Sequence, residues 1–117
     1  MKLHAIVDLS GSMSVLGKKA ICDMVLQTIA FLPEFELERH DWDGNEPSLN
    51  EILAAFGNEP VVILSDGYAI SDSKLQVPEH TPVILCGSDS MRYIKNVDVY
   101  SAEDTVKFLE ILQKQTR

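Results

Sequence analysis

The stretch LHAIVDLSGSMS, residues 3–14, joins an apolar run to one carboxylate and three hydroxyls. Its first part, LHAIV (3–7), is short and almost solidly apolar, which is typical of a strand covered on both faces in the centre of a parallel sheet. The run ends at Asp8, and three serines follow within the next six residues. These polar residues therefore lie where the strand leaves the core, and they form either an ordinary turn or a binding site.

Two further apolar runs have the same character, PVVILS (60–65) and TPVILCG (81–87), and both predict central strands. Two other segments alternate polar and apolar residues instead, EFELERHDW (34–42) and NVDVYS (96–101). Alternation is typical of strands that are covered less completely. The sequence thus predicts three central strands and two edge strands.

The segments between these strands show the periodicity of helices. Apolar residues recur at helical spacing in GKKAICDMVLQTIAFL (17–32), SLNEILAAF (48–56) and SAEDTVKFLEILQK (101–114). Ser48, with Glu51 three residues later, predicts a capping box at the start of the second helix. A short helical turn is predicted near 71–75.

The order of elements predicts an α/β fold. Right-handed crossovers place helices on both faces of a mostly parallel sheet. If the alternating strands are the edges, the first strand is central, and a Rossmann-like sheet of about five strands in the order 2-1-3-4-5 satisfies this. The 117 residues are enough for one compact domain, 1–117, with a single core.

The amino-acid composition argues against some classes of binding partner. A net charge of −8 argues against nucleic acid and against anionic membranes. No segment approaches the apolar length of a membrane span, and the N-terminal residues lack the pattern of a secretory signal, so we expect a cytoplasmic protein. Cys22 and Cys86 lie in apolar segments, where buried thiols are more common than a disulfide or a metal pair.

Two aspartates end separate apolar runs, Asp8 after the first and Asp66 after the third predicted strand. In the predicted topology these ends are neighbours at the crevice where such sheets bind ligands. Adjacent carboxylates repel, and a divalent cation relieves that conflict. Ser10 and Ser12 add hydroxyl oxygens, so the donor set favours Mg²⁺, Mn²⁺ or Ca²⁺ over Zn²⁺. Gly11 is expected to let the loop bend tightly around the ion.

Each of these residues also has an ordinary interpretation. Ser12 or Ser14 could cap the following helix, and Asp66 with Gly67 could form only a turn. Among the other candidates for chemistry, Lys18 is expected to point to solvent, as it lies near the start of a helix. His4 is expected to be packed within the first strand, and His40 and His80 to be exposed.

The motif DLSGSM (8–13) resembles the D-x-S-G-S-M signature of von Willebrand factor A domains. VVILSDG (61–67) is similar to a later strand of that family. The resemblance implies a metal-ion-dependent adhesion site, in which Ser10 and Ser12 bind the ion directly. It implies that Asp8 and Asp66 bind the ion directly or through water, and that the open coordination position takes a carboxylate of a partner protein.

The sequence departs from that family in two ways. The chain is shorter than the usual domain, and it lacks the threonine that the family supplies from a later loop. In DGNEPSLNEIL (43–53), aligning Leu49 puts Pro47 on that threonine. Ser48 and Asp43 are the remaining oxygen donors of this loop.

These observations predict a protein-binding module that uses a divalent cation and performs no chemistry of its own. The resemblance implies a partner that presents an Asp or Glu, such as an ATPase or a multiprotein complex. One alternative is a protein-interaction domain without a metal. Another is a phosphotransferase of the haloacid dehalogenase type with Asp8 as nucleophile, in which Ser10 would replace the general acid. A hydroxyl protonates a leaving group poorly at neutral pH, which counts against this second alternative.

Overall fold

The computed structural model describes residues 1–44, 46–66, 80–87 and 97–115, apart from the side chains of 46–48. Its strands are β1 (Lys2–Asp8), β2 (Glu36–Trp42), β3 (Val61–Ser65), β4 (Thr81–Leu85) and β5 (Val97–Ser101). Its helices are α1 (Leu16–Phe31), α2 (Glu46–Phe56) and α3 (Thr105–Gln115), with short 3-10 turns at Gly11–Ser14 and Ala102–Asp104.

The five strands form one parallel sheet in the order β2-β1-β3-β4-β5. This arrangement confirms the predicted fold class and strand order. The alternating strands β2 and β5 are the edges, and β1, β3 and β4 are buried along most of their length. Edge position explains the alternation, because each edge strand leaves side chains in contact with water.

The core has two parts, one on each face of the sheet. Leu3, Ala5 and Val7 of β1 pack in the first part with buried residues of α1 and α3. Ile6 of β1 packs in the second part, together with Leu49 of α2. Because successive side chains of a strand point to opposite faces, the even-numbered residues of β1 all face α2.

The start of α1 decides the role of the nearby serines. The residue before the helix is Val15, which has no side-chain oxygen and makes no capping bond. The Ser14 hydroxyl donates instead to the carbonyl of Gly11, at 2.7 Å. Ser12 and Ser14 therefore do not cap α1, and that interpretation of the serines is wrong.

The second helix begins at Glu46, two residues before the predicted cap at Ser48. Ser48 is thus the third residue of α2, and the predicted capping box with Glu51 is wrong. Proline is well accepted in a first helical turn because its missing N–H would have no partner there. Pro47 therefore permits this earlier start.

The third helix begins later than predicted. A 3-10 turn occupies Ala102–Asp104, and α3 itself begins at Thr105. The Ser101 hydroxyl donates to the Asp104 carboxylate at 3.1 Å, so it caps no backbone N–H. The turn predicted near 71–75 lies outside the described residues. Among the described helices, none has the length and apolarity needed to cross a bilayer.

Both cysteines carry free, buried thiols, as predicted. A hydrogen bond between the thiols of Cys22 and Cys86, together with burial, raises the pKa of Cys86. The same hydrogen bond lowers the pKa of Cys22, against the effect of burial. The pair joins α1 to the residue that follows β4.

Candidate cation site at the carboxyl edge of the sheet

The two predicted aspartates lie at one edge of the sheet. Asp8 is the last residue of β1, and Asp66 directly follows β3, the parallel neighbour of β1. Val7 pairs with Leu64, which puts Asp8 level with Ser65. Asp8 is 0% exposed and Asp66 is 1% exposed. The predicted location of both carboxylates at the carboxyl edge of adjacent strands is therefore confirmed.

Asp8 is held by two neutral hydrogen-bond donors. The backbone N–H of Ser10 donates to Oδ1 at 2.8 Å, and the Ser65 hydroxyl donates to Oδ2 at 2.6 Å. No cationic side chain contacts Asp8 among the described residues. Sequence reasoning missed Ser65, although its position beside Asp8 follows from the register of two parallel strands.

The hydroxyls of Ser10 and Ser12 lie close together, half-buried, with 3.4 Å between their Oγ atoms. The intervening Gly11 does not have a positive φ, and a Cβ there would meet open space. The loop does bend at Gly11, but neither its φ nor the space around it requires glycine there. The 3-10 turn that begins at Gly11 brings the two hydroxyls together, with Met13 N–H bonded to the Ser10 carbonyl at 2.9 Å.

Lys18 points into the site, so the expectation that it faces solvent is wrong. Its Nζ donates to Asp66 Oδ2 at 2.9 Å and to the Ser12 carbonyl at 3.1 Å. The Lys18 side chain is 18% exposed and that of Asp66 is 0% exposed. Because α1 begins at Leu16, Lys18 lies in its first turn, next to the carboxyl edge. A lysine in the first turn of the helix that follows the Asp8 loop was the available sequence signal.

Gly87 packs directly against this lysine. Its φ is +78°, and a Cβ at this position would lie 2.5 Å from Lys18 Cγ. Glycine adopts a positive φ readily, and it has no Cβ to occupy the space beside Lys18. Gly87 therefore leaves the room in which the Lys18 stem reaches Asp66.

The two remaining candidate ligands come from the loop after β2. Asp43 follows the last residue of β2 and is exposed, so it stands at the same edge of the sheet. The side chain of Ser48 lies outside the described residues.

A cavity of about 270 Å³ adjoins Asp8 on the α1 face, with Met13, Cys22 and Arg39 in its walls. A larger cavity, of about 590 Å³, lies at the opposite edge, where β3 and β4 begin and where α2 and α3 end. The larger cavity is far from the serine and aspartate cluster. Of the serine and aspartate cluster, Asp8 alone lines the smaller cavity, and none of the cluster lines the larger one.

Neither protein-family models nor curated proteins match this chain. Among solved structures, it is similar to a crystal structure described as a "putative lipoprotein from Peptoclostridium difficile 630 (fragment)". The two share 10% sequence identity with a TM-score of 0.58, over 99% of this chain and 98% of the other. At this identity the likeness concerns the fold alone. The chain is an α/β protein with a five-stranded parallel, Rossmann-like sheet.

Proposed function

We propose that this chain is a protein-binding module that uses a divalent cation, Mg²⁺ or else Mn²⁺ or Ca²⁺, at the carboxyl edge of its sheet. Asp8, Ser10, Ser12 and Asp66 bind the ion directly or through water. The open coordination position takes a carboxylate of the partner protein, and the module performs no chemistry of its own. The resemblance of DLSGSM to von Willebrand factor A domains supports this assignment, and by that resemblance the partner is an ATPase or a multiprotein complex.

The burial of Asp8 is the observation that carries the proposal. A carboxylate that is 0% exposed costs free energy unless a cation or several hydrogen bonds compensate it. Asp8 has two neutral donors and no contacting cation among the described residues. A divalent ion bound next to it would supply the missing positive charge.

The spacing of the serine hydroxyls fits adjacent ligands of such an ion. Adjacent ligands of an octahedral ion are separated by about 3.0 Å for Mg²⁺ and about 3.4 Å for Ca²⁺, from their usual bond lengths. The Ser10 and Ser12 Oγ atoms are 3.4 Å apart. Hydroxyl and carboxylate oxygens are also the donors that these hard cations prefer.

The local charges explain why a partner carboxylate would bind. Asp8, Asp66 and Lys18 together carry one negative charge. A bound divalent ion would leave one positive charge at this edge, within a protein whose net charge is −8. That local field attracts an Asp or Glu of the partner in spite of the acidic remainder of the surface.

A second candidate is a protein-interaction domain that works without a metal. The Lys18–Asp66 ion pair favours it, because the ammonium already neutralises one of the two carboxylates. In either case we place the module in the cytoplasm, where the buried free thiols of Cys22 and Cys86 stay reduced.

The deciding experiment titrates Mg²⁺, Mn²⁺ and Ca²⁺ into the chelator-treated full chain, with binding heat and melting temperature as readouts. We expect one ion per chain and a rise in melting temperature. Asp8→Asn, which keeps the shape of the side chain, should weaken binding at least tenfold. Asp41→Asn removes an exposed carboxylate on β2 and should leave binding unchanged.

The outcomes separate the two candidates. If no ion produces heat or a melting shift in the wild-type chain, the domain without a metal is the correct assignment. If Asp8→Asn binds the ion as tightly as the wild-type chain does, the ion lies elsewhere. Circular dichroism of each variant shows that the fold is retained.

A further inference from the structure

A second cluster of metal-ligating side chains lies between β1 and β2, on the face covered by α2. It consists of His4 on β1 and of Glu38 and His40 on β2. His4 pairs with Glu38 in the strand register, and all three residues lie on the same face by alternation. His4 is four residues from Asp8 along β1, about 13 Å, so this cluster is separate from the site at the carboxyl edge.

The three side chains converge on one point. His4 Nδ1 is 3.1 Å from His40 Nε2, and His40 Nε2 is 3.3 Å from Glu38 Oε1. One ligand atom from each of the three residues lies within 4.8 Å of the others. In a tetrahedral zinc site, bond lengths of about 2.0–2.1 Å separate two ligand atoms by about 3.3 Å. The spacing therefore suits a shared cation.

The ring of His4 is fixed in place. It is 3% exposed and stacks on Phe56 at the end of α2, with ring centroids 3.9 Å apart and planes 9° from parallel. The structure also corrects the expectation for His40, whose side chain is only 25% exposed and lies 4.6 Å from the Phe56 ring. Two imidazoles held in this way need little rearrangement to bind an ion.

The second ring nitrogen of His4, Nε2, provides an independent observation in favour of a metal site. His4 Nε2 is fully buried and makes no hydrogen bond of acceptable geometry, although Glu59 Oε2 lies 3.3 Å from it. A histidine that binds a metal through one nitrogen commonly donates its other N–H to a carboxylate, which fixes the tautomer. Glu59, in the connection between α2 and β3, is placed for that role.

The charges around the cluster favour a cation. Lys2 Nζ contacts Glu38 Oε2 at 2.9 Å and leaves Oε1 on the side of His40. The charges of Glu36 and Glu59 also act on the Lys2 ammonium. Three carboxylates against one ammonium give this surface a local excess of negative charge.

We propose that His4 Nδ1, His40 Nε2 and a carboxylate oxygen of Glu38 bind one transition-metal cation of the Zn²⁺ class, with Glu59 orienting His4. Imidazole nitrogens select such a cation over Mg²⁺ or Ca²⁺, which distinguishes it from the ion of the carboxyl edge. Three protein ligands leave a fourth position, on the solvent side of Glu38, for water or another ligand. This inference is independent of the proposed function.

The test uses the full chain without an affinity tag, treated with a chelator and titrated with Zn²⁺ against a chromophoric competitor. Co²⁺ then reports the coordination geometry by its visible absorption. We expect one Zn²⁺ per chain and a tetrahedral Co²⁺ spectrum. His40→Gln and Glu38→Gln should each weaken binding at least tenfold, and Glu59→Gln about tenfold, as expected for an orienting carboxylate.

His80→Gln is the matched control, because His80 is 81% exposed and contacts Asp98 at 3.3 Å outside the cluster. It should bind Zn²⁺ as the wild-type chain does. The proposal is overturned if His40→Gln retains wild-type affinity, or if the wild-type chain binds no Zn²⁺; the 3.1 Å contact is then a histidine–histidine hydrogen bond. Asp8→Asn should keep Zn²⁺ binding and His40→Gln should keep Mg²⁺ binding, so either site can fail without the other.

Discussion

Lys18 reaches across the carboxyl edge of the sheet to Asp66, with 2.9 Å between Nζ and Oδ2. The two residues are 48 positions apart in the chain and belong to different elements, the first turn of α1 and the end of β3. The candidate cation site therefore contains a positive charge of its own. This ammonium affects both the stability of the domain and the affinity of the site for a divalent ion.

Lys18→Met should lower the free energy of unfolding by about 3 kcal/mol, because it leaves the carboxylate of Asp66 buried without its cation. Denaturant unfolding measures the loss. In the same variant a divalent ion should bind more tightly than in the wild-type chain, since the ammonium no longer repels it. Lys19→Met, at an exposed position of the same helix, is the control and should change stability little. If Lys18→Met and Lys19→Met have the same free energy of unfolding, the Lys18–Asp66 ion pair does not stabilise the fold.

Gly87→Ala should destabilise the domain more than Gly57→Ala does. Both glycines have a positive φ, so both substitutions strain the backbone, by about 1–3 kcal/mol. Only at Gly87 does the new Cβ also meet the Lys18 stem, whereas nothing lies within 4 Å of a Cβ at Gly57. The difference between the two unfolding free energies measures the contact with Lys18.

A double-mutant cycle tests the cause of that difference. Lys18→Ala removes the Cγ atom that a Cβ at Gly87 would meet, so Gly87→Ala should cost less in the Lys18→Ala background. Additive effects would show that the extra cost at Gly87 arises elsewhere.

Ser65→Ala should lower the free energy of unfolding by about 1–3 kcal/mol, because it leaves Oδ2 of the buried Asp8 without its hydrogen bond. Ser14→Ala also removes a hydroxyl hydrogen bond, but an exposed one, and should cost much less. Thermal unfolding of the two variants gives the comparison. If the proposed ion binds Asp8, saturating Mg²⁺ should recover part of the stability that Ser65→Ala loses.

We expect the ionisation of Tyr100 to lower the free energy of unfolding of the domain at alkaline pH. Burial, and then the charge of Asp98, raises the pKa of Tyr100 above its ordinary value. The unfolded chain loses the phenol proton near pH 10 while the folded chain keeps it. The stability due to the neutral phenol is therefore complete below about pH 10 and is lost as the pH rises towards the folded pKa.

Tyr100→Phe has no proton to lose at this position, so its unfolding midpoint should fall less between pH 9 and pH 11 than that of the wild-type chain. Lysine titration affects both chains alike and cancels in the comparison. An identical fall in both would show that the pKa of Tyr100 is not raised in the folded state.

The sequence alone predicted the fold because buried strands and edge strands differ in their local pattern of apolar residues. Solid apolar runs such as PVVILS (60–65) predicted central strands, and alternation in EFELERHDW (34–42) predicted an edge strand; the sheet has both. Helix starts were predicted less well. Ser48 looked like a cap, but Pro47 permits a helix that begins two residues earlier.

The sequence by itself determined the parallel sheet and the location of Asp8 and Asp66 at its carboxyl edge, since strand ends and strand order follow from local periodicity and chain connectivity. Only the tertiary structure decided that Lys18 contacts Asp66 and that His4 contacts His40, which is 36 positions away. Such contacts depend on strand register, on the exact start of a helix and on which long side chain fills a gap. The periodicity of the sequence does not predict these contacts, because they form only when distant segments of the chain pack together.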